Sequence, residues 1–233
     1  MASSTPEFTR PRHKLVWQLL QSLNSEFLST AKCYFGGGTR IVLDLYEYRE
    51  SIDVDFLCAD PSGYRELRNS ITDSSLGKIC AGNLALMREV RADMYGIRTF
   101  VRIDDQPIKF EIISEGRISL SGARLVDIPV EVLDHTSTFA EKFLANTDRG
   151  RDESTRSRDL IDLAYMAAGW LNSSLSDGIK TAETIYGDAV RRELAATINK
   201  FKDTSYRSKC IKDLRVTDTR KLTRGLRALS KLL

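Results

Sequence analysis

Residues 51–58 read SIDVDFLC, and this octet constrains the chain more than any other stretch. Successive side chains of an extended strand point to opposite faces, so Ile52, Val54 and Phe56 share one side and Ser51, Asp53 and Asp55 the other. The strand has an apolar back and an acidic front, and Phe56 followed by Leu57 argues for an interior strand rather than an edge. Two carboxylates about 7 Å apart on one strand face repel each other. They are tolerated best where a divalent cation neutralises them, the alternative being a solvated strand face.

Upstream, AKCYFGG reads as a short strand entering a glycine turn, and TRIVLDLYEY reads as the helix that follows. Gly36-Gly37-Gly38-Thr39 therefore sits where a strand hands over to a helix. Glycine lets the backbone approach a phosphate, and a helix N-terminus offers free N–H groups to an anion, but strand-to-helix turns also use glycine freely. No Gly-Lys-Ser/Thr follows and the GxGxxG order is missing, so neither a Walker loop nor a dinucleotide fold is indicated.

Elsewhere in the first half, RHKLVWQLLQSLNSEFL carries Leu15, Leu19, Leu20, Leu23 and Phe27 at helical spacing and predicts one amphipathic helix. PSGYRELRNSI predicts a second, opened by its proline and serine. In IRTFVRIDDQPIKFEII two strands flank a turn at Asp104-Asp105-Gln106-Pro107. Ile108, Phe110 and Ile112 line one face of the second strand, and Lys109 and Glu111 the other. Glu111 is thus a third carboxylate facing away from apolar neighbours, and three such groups on adjacent strands could hold two magnesium ions for phosphoryl-type transfer.

From about Ser137 the pattern turns helical, with Thr138 and Glu141 in capping-box spacing ahead of FAEKFLA. RDLIDLAYMAAGW predicts a buried helix, and two or three more helices follow it, the last striped by Leu222, Leu226, Leu229 and Leu232. The expected fold class is α+β: a mixed sheet flanked by helices over 1–135, then a helical bundle over 136–233. Lys142 alone reads as a solvated lysine, and Arg158, Asp159 and Asp162 as an ion-pair set on one helix face. Asp162, on so apolar a helix, needs a partner such as Lys142 or Arg158. Arg40 and Arg49 flank the glycine loop and the acidic strand, where phosphate contact and plain exposure are both open. His13, His135, Trp17 and Trp170 read as structural, the two tryptophans on helices.

Charge is unevenly spread. Residues 200–233 hold eleven Lys or Arg and three Asp, a net +8, whereas the preceding 199 carry a net −5. A basic tail on an acidic body suits a polyanionic partner, or is only a solvated helical face. Cys33, Cys58, Cys80 and Cys210 form no CxxC pair and read as reduced, mostly buried thiols. No membrane-spanning run or signal-peptide core is present, so a cytoplasmic location without membrane contact is expected.

Taken together, Gly37-Gly38-Thr39, the Asp53/Asp55 pair fourteen residues on and the later Glu111 resemble the DNA polymerase β nucleotidyltransferase superfamily. Within it the nearest likeness is to the AbiEii/AbiGii toxin family, through Gly37-Gly38-Thr39, Ser51 to Phe56, Lys142 in FAEKFLA, and Arg158-Asp159-Leu160-Ile161-Asp162-Leu163. The likeness runs from about Tyr34 to Leu163; Gly36 is extra, and the gap from glycines to aspartates is slightly longer than the family pattern. It implies an enzyme that moves a nucleoside monophosphate from an NTP to an acceptor, using Mg²⁺ or Mn²⁺. Asp53, Asp55 and Glu111 would hold metal; Gly37, Gly38, Thr39, Arg40, Lys142 and Asp162 would contact the nucleotide; Asp159 would join the catalytic set, with Asp159 and Asp162 both matching the last motif. It also implies a toxin of a toxin–antitoxin or phage-defence system, with a cognate antitoxin and with the tRNA 3′ end as first acceptor, met by the basic C-terminal helices. Nucleotidylation of a protein, and a non-catalytic NTP- or RNA-binding regulator, are the alternatives.

Overall fold

A computed structural model describes residues 7–233. The chain divides into two compact units. The first holds the chain up to Arg40 together with Ser51–Asp134, and the second holds Ile41–Glu50 and His135–Leu233.

In the first unit α1 (Pro11–Gln21) and α2 (Ser25–Thr30) replace the single helix expected there. The break lies at Asn24, whose side chain accepts the Phe27 N–H and so caps a new helix, the preference of an asparagine at an N-terminus. Then come β1 (Cys33–Phe35), α3 (Gly37–Asp44), of which only the part up to Arg40 belongs to this unit, β2 (Val54–Cys58) and α4 (Pro61–Asn69), the last capped by Asp60. Helix α3 stops earlier than its apolar repeat suggests, because Tyr46 and Glu47 both adopt left-handed φ angles that end a helix. The unit is completed by β3 (Arg91–Ala92), β4 (Gly96–Ile103), β5 (Gln106–Ser114), β6 (Gly122–Ala123) and β7 (Val132–Leu133).

The seven strands form one mixed sheet in the order β3-β4-β5-β2-β1-β7-β6. Pairs β2–β5 and β1–β7 are parallel, and the other four are antiparallel. Phe35, Phe56 and Phe110 are fully buried on the core face, with ring centroids 5.6 and 5.9 Å apart across β1, β2 and β5. Each such side chain removed from water contributes roughly 1.5–3 kcal/mol. The β4–β5 hairpin turns on Asp104 and Asp105 alone, both left-handed, two residues tighter than the expected four. Pro107 is tolerated in β5 because β2 begins pairing only at Phe110.

The second unit is helical: α5 (His135–Arg149), α6 (Arg158–Gly169), α7 (Asn172–Tyr186), α8 (Ala189–Lys200), α9 (Thr204–Asp213) and α10 (Thr219–Ser230). Four helices follow α6 rather than two or three. Helix α5 packs on α6, α7 and α8, and α10 packs on α6. Only Asp134 separates β7 from α5, so the helix starts at His135; Thr138 lies inside it, buried, and is not the cap expected from its spacing with Glu141. Leu222 and Leu229 of the α10 stripe are buried. No helix among the described residues is long and apolar enough to cross a membrane.

Candidate active site

The glycine loop and the acidic strand of the first unit are locked together. The Gly36 N–H donates to the Asp55 carbonyl at 2.8 Å, and the hydroxyls of Thr39 and Ser51 lie 2.9 Å apart. Gly37 has φ +68°, and a Cβ there would lie 2.5 Å from Asp55 Oδ2. Glycine is therefore required twice over, by the left-handed backbone and by the carboxylate packed against it. A Cβ at Gly36 would meet the methyl ends of Leu57 and Leu133, which would have to shift to admit it. Arg40 is fully buried, not a surface residue, and Gly38 lies in the first turn of α3.

Asp55 lies on β2 with Asp53 one residue ahead of the strand, both half-buried. The parallel register of β2 and β5 sets Asp55 directly beside Glu111. Glu111 is bound at both oxygens: Arg98 Nε donates to Oε1 at 2.6 Å, and Lys109 Nζ to Oε2 at 2.5 Å. Partial burial would raise the Glu111 pKa, but these two cations outweigh it and hold the carboxyl below its ordinary value. Burial lowers and Glu111 raises the Lys109 pKa, which ends up above normal with Asp55 and Asp53 adding to the rise. Arg98 faces Glu111 across the hairpin and Arg91 across the next pair. One rank of the sheet thus reads Asp55, Glu111, Arg98, Arg91 over four strands, acidic at one end and basic at the other.

The second unit contains a different assembly, in which both carboxylates are buried and only Arg149 among their partners reaches solvent. Asp162 is inaccessible and accepts from Tyr48 Oη at 2.6 Å, Arg49 Nε at 2.7 Å and Arg49 Nη2 at 2.8 Å, while Lys142 Nζ lies 2.7 Å from Oδ2. Four donors match the roughly four lone-pair sites of a carboxylate. Lys142 also donates to Asp159 Oδ1 at 2.9 Å, and the Arg149 guanidinium grips Asp159 through Nε at 2.8 Å and Nη2 at 3.0 Å. Burial alone would raise both carboxyl pKa values; Lys142 and Arg149 hold Asp159, and Arg49 and Lys142 hold Asp162, below the ordinary range. Burial and the neighbouring Asp162 push the Tyr48 hydroxyl up, and its ring stacks on Tyr165 at 3.8 Å.

The family model for the nucleotidyl transferase AbiEii toxin of Type IV toxin–antitoxin systems matches residues 18–225. The chain belongs to this AbiEii family. It is accordingly a nucleotidyltransferase, and membership implies an NTP substrate and an antitoxin partner. Among solved structures, "putative nucleotidyltransferase from H. pylori" is similar at 17% identity and TM-score 0.52, covering 94% of this chain and 92% of that one. JHP933 from Helicobacter pylori is similar at 16% identity and TM-score 0.52, covering 97% and 93%. Both likenesses concern the fold. Among curated proteins nothing matches significantly.

For an AbiEii member a divalent metal is implied, and the donor set tests it. Asp53 and Asp55 offer the hard oxygens that Mg²⁺ takes. Glu111 accepts one cation at each oxygen, from Arg98 and Lys109, which leaves a second lone pair on each oxygen while neutralising much of its charge. Among the described residues no three acidic, His or Cys side chains are grouped to hold a metal. His13 is buried and its Nε2 accepts the Ser51 N–H, and His135 stacks on Trp170, which lies one residue past α6 rather than within it. Trp17 lies on α1 and donates its indole N–H to the Asp127 carbonyl. The four cysteines are free thiols, three of them buried.

Sequence reasoning missed Arg98, Lys109, Tyr48, Arg49 and Arg149 as partners of the acidic groups. Lys109 was within reach of it, two positions from Glu111 on the same strand face. Arg49 and Tyr48 lie 113 and 114 residues from Asp162, and no local pattern reports such a pairing.

Proposed function

We propose that this enzyme transfers a nucleoside monophosphate from an NTP to the 3′-hydroxyl of an RNA, a tRNA end being the first candidate, and that it acts as a toxin restrained by its antitoxin in phage defence. The acceptor oxygen bonds to the α-phosphorus as the bond from that phosphorus to the bridging oxygen breaks. Pyrophosphate leaves, and the hydroxyl proton passes to solvent. Asp53 and Asp55 hold Mg²⁺, or Mn²⁺, which when bound supplies neutralising charge for the phosphates. The N–H groups at Gly37 and Gly38 and the Thr39 hydroxyl face the triphosphate, with Arg40 in the same turn. The family pattern would give Lys142 a phosphate contact, but here its ammonium is buried and taken by Asp159 and Asp162. The basic segment 200–233 supports RNA as acceptor.

The observation that carries this reading is the lock between Gly37 and Asp55, because it makes a phosphate loop and a carboxylate strand parts of one structure. The test incubates the protein with each of four α-labelled NTPs, Mg²⁺ and total tRNA. Label should appear on RNA with wild type and vanish with Asp53→Asn or Asp55→Asn, while circular dichroism melting stays intact. Label on a protein band instead identifies the other acceptor class; transfer retained by both variants removes the mechanism.

A further inference from the structure

The basic end of the charged rank opens into a cleft of about 520 Å³ lined by Arg88, Arg91, Arg98, Thr99, Phe100 and Lys109, with Glu89 its one acidic lining group. It lies wholly on β3, β4, β5 and the segment that enters β3, within the first unit. That segment is fixed. The Met87 N–H donates to the Phe100 carbonyl at 2.7 Å, and the Thr99 hydroxyl donates to the Arg88 carbonyl at 2.7 Å. Arg88 is exposed and lies over the half-buried Phe100 ring, its guanidinium carbon 4.7 Å from the centroid. Arg91 is exposed on the edge strand, and Phe100 stands directly across the hairpin from Lys109.

Two of the four cations already have work, since Arg98 and Lys109 neutralise Glu111. Neither Arg88 nor Arg91 takes part in that clamp. We propose that this cleft is a binding subsite for the acceptor polynucleotide, in which Arg88 and Arg91 hold two backbone phosphates of single-stranded RNA and one base stacks on the Arg88 guanidinium backed by Phe100. The proposal rests on the transferase reading for its role, but not for the binding itself. Arginine planes and aromatic faces are what unpaired bases stack on, and cationic grooves track the backbone of a single strand. An acidic peptide would pair with the arginines yet leave Phe100 unused, so the ring favours nucleic acid. The subsite shares its sheet face with Asp55 and Glu111, at the basic end of the rank.

The experiment measures binding of a fluorescent single-stranded oligo-uridine by anisotropy over a salt series, in EDTA and without NTP. Arg88→Ala/Arg91→Ala should weaken binding about 10-fold or more and flatten the salt slope by about 1.4, the contribution of two phosphate contacts. Phe100→Ala should weaken binding with the slope unchanged. A fluorescent NTP analogue should bind all three proteins alike. Wild-type affinity in the double variant, no RNA binding by wild type, or preferential binding of a poly-glutamate peptide each overturns the proposal. Failure of nucleotide transfer by a wild type that still binds RNA through these residues overturns only the transferase reading.

Discussion

The two units both gather aspartates with lysine and arginine, and they use them in opposite ways. On the sheet face Asp53 and Asp55 remain half-exposed, and Glu111 is matched by cations that are themselves more than one third exposed. In the helical unit Asp159 and Asp162 are sealed, and each oxygen has its donor within 3.0 Å. At the first place the carboxylates themselves are open to solvent; at the second they are covered, and only the Arg149 partner is exposed. The same residue types thus make an open site where charge is accessible and a closed one where charge is fixed. Which is which depends on burial rather than on residue identity.

The sharpest way to break this comparison is to remove one carboxylate from each region. Asp162→Ala would leave Arg49 and Lys142 buried around a missing partner and should cost about 3–5 kcal/mol, read by urea denaturation. Asp53→Asn should stay within about 0.5 kcal/mol of wild type, as surface substitutions usually do, while abolishing transfer. Equal costs would show that the sheet carboxylates are structural as well. Acid should expose the same difference. Asp159 and Asp162 titrate below their unfolded values, so their stabilisation is complete above about pH 4 and drains away as pH falls toward the folded values. The melting temperature should drop steeply below that pH in wild type and more gently in Asp162→Asn.

Gly37→Ala is expected to have the next largest effect. A left-handed non-glycine residue costs about 1–3 kcal/mol, and the added Cβ must also push Asp55 from its place. Thermal melting should show the modest loss, and labelled transfer a much larger one, because the displaced carboxylate is the one assigned to metal.

That coupling was half legible in the sequence. The glycine loop, the Asp55 end of the acidic strand and the face of the hairpin that carries Glu111 follow local periodicity and fell where expected, whereas Asp53 lies just ahead of the strand. The partners of Glu111 depended on one detail of turn length. With four residues in the turn Arg98 would face Ile113 and Phe100 would face Glu111; with two, Arg98 faces Glu111. The faces are the same in both registers, and only the neighbours change. The closed cluster was less legible still. Asp162 could be seen to need a partner, and Lys142 proved to be one, but Arg49 and Tyr48 reach it only through a chain reversal at Tyr46 and Glu47 that no apolar repeat foretells.

The smallest expected effect is the most discriminating for the open site. Arg98→Ala removes one of the two cations on Glu111 and leaves Lys109 in place. Because the arginine is 38% exposed, water screens the pair and the stability change should be about 0–1 kcal/mol. The Glu111 pKa should nonetheless climb back toward its ordinary value, since one of the two cations lowering it is gone. A carboxyl-selective NMR titration of wild type and variant would read that shift directly, and an Arg98→Ala/Glu111→Gln cycle would give the coupling. A coupling as large as the loss from Asp162→Ala would mean that the Glu111 clamp is as closed as the helical cluster, and that exposure does not divide the two regions.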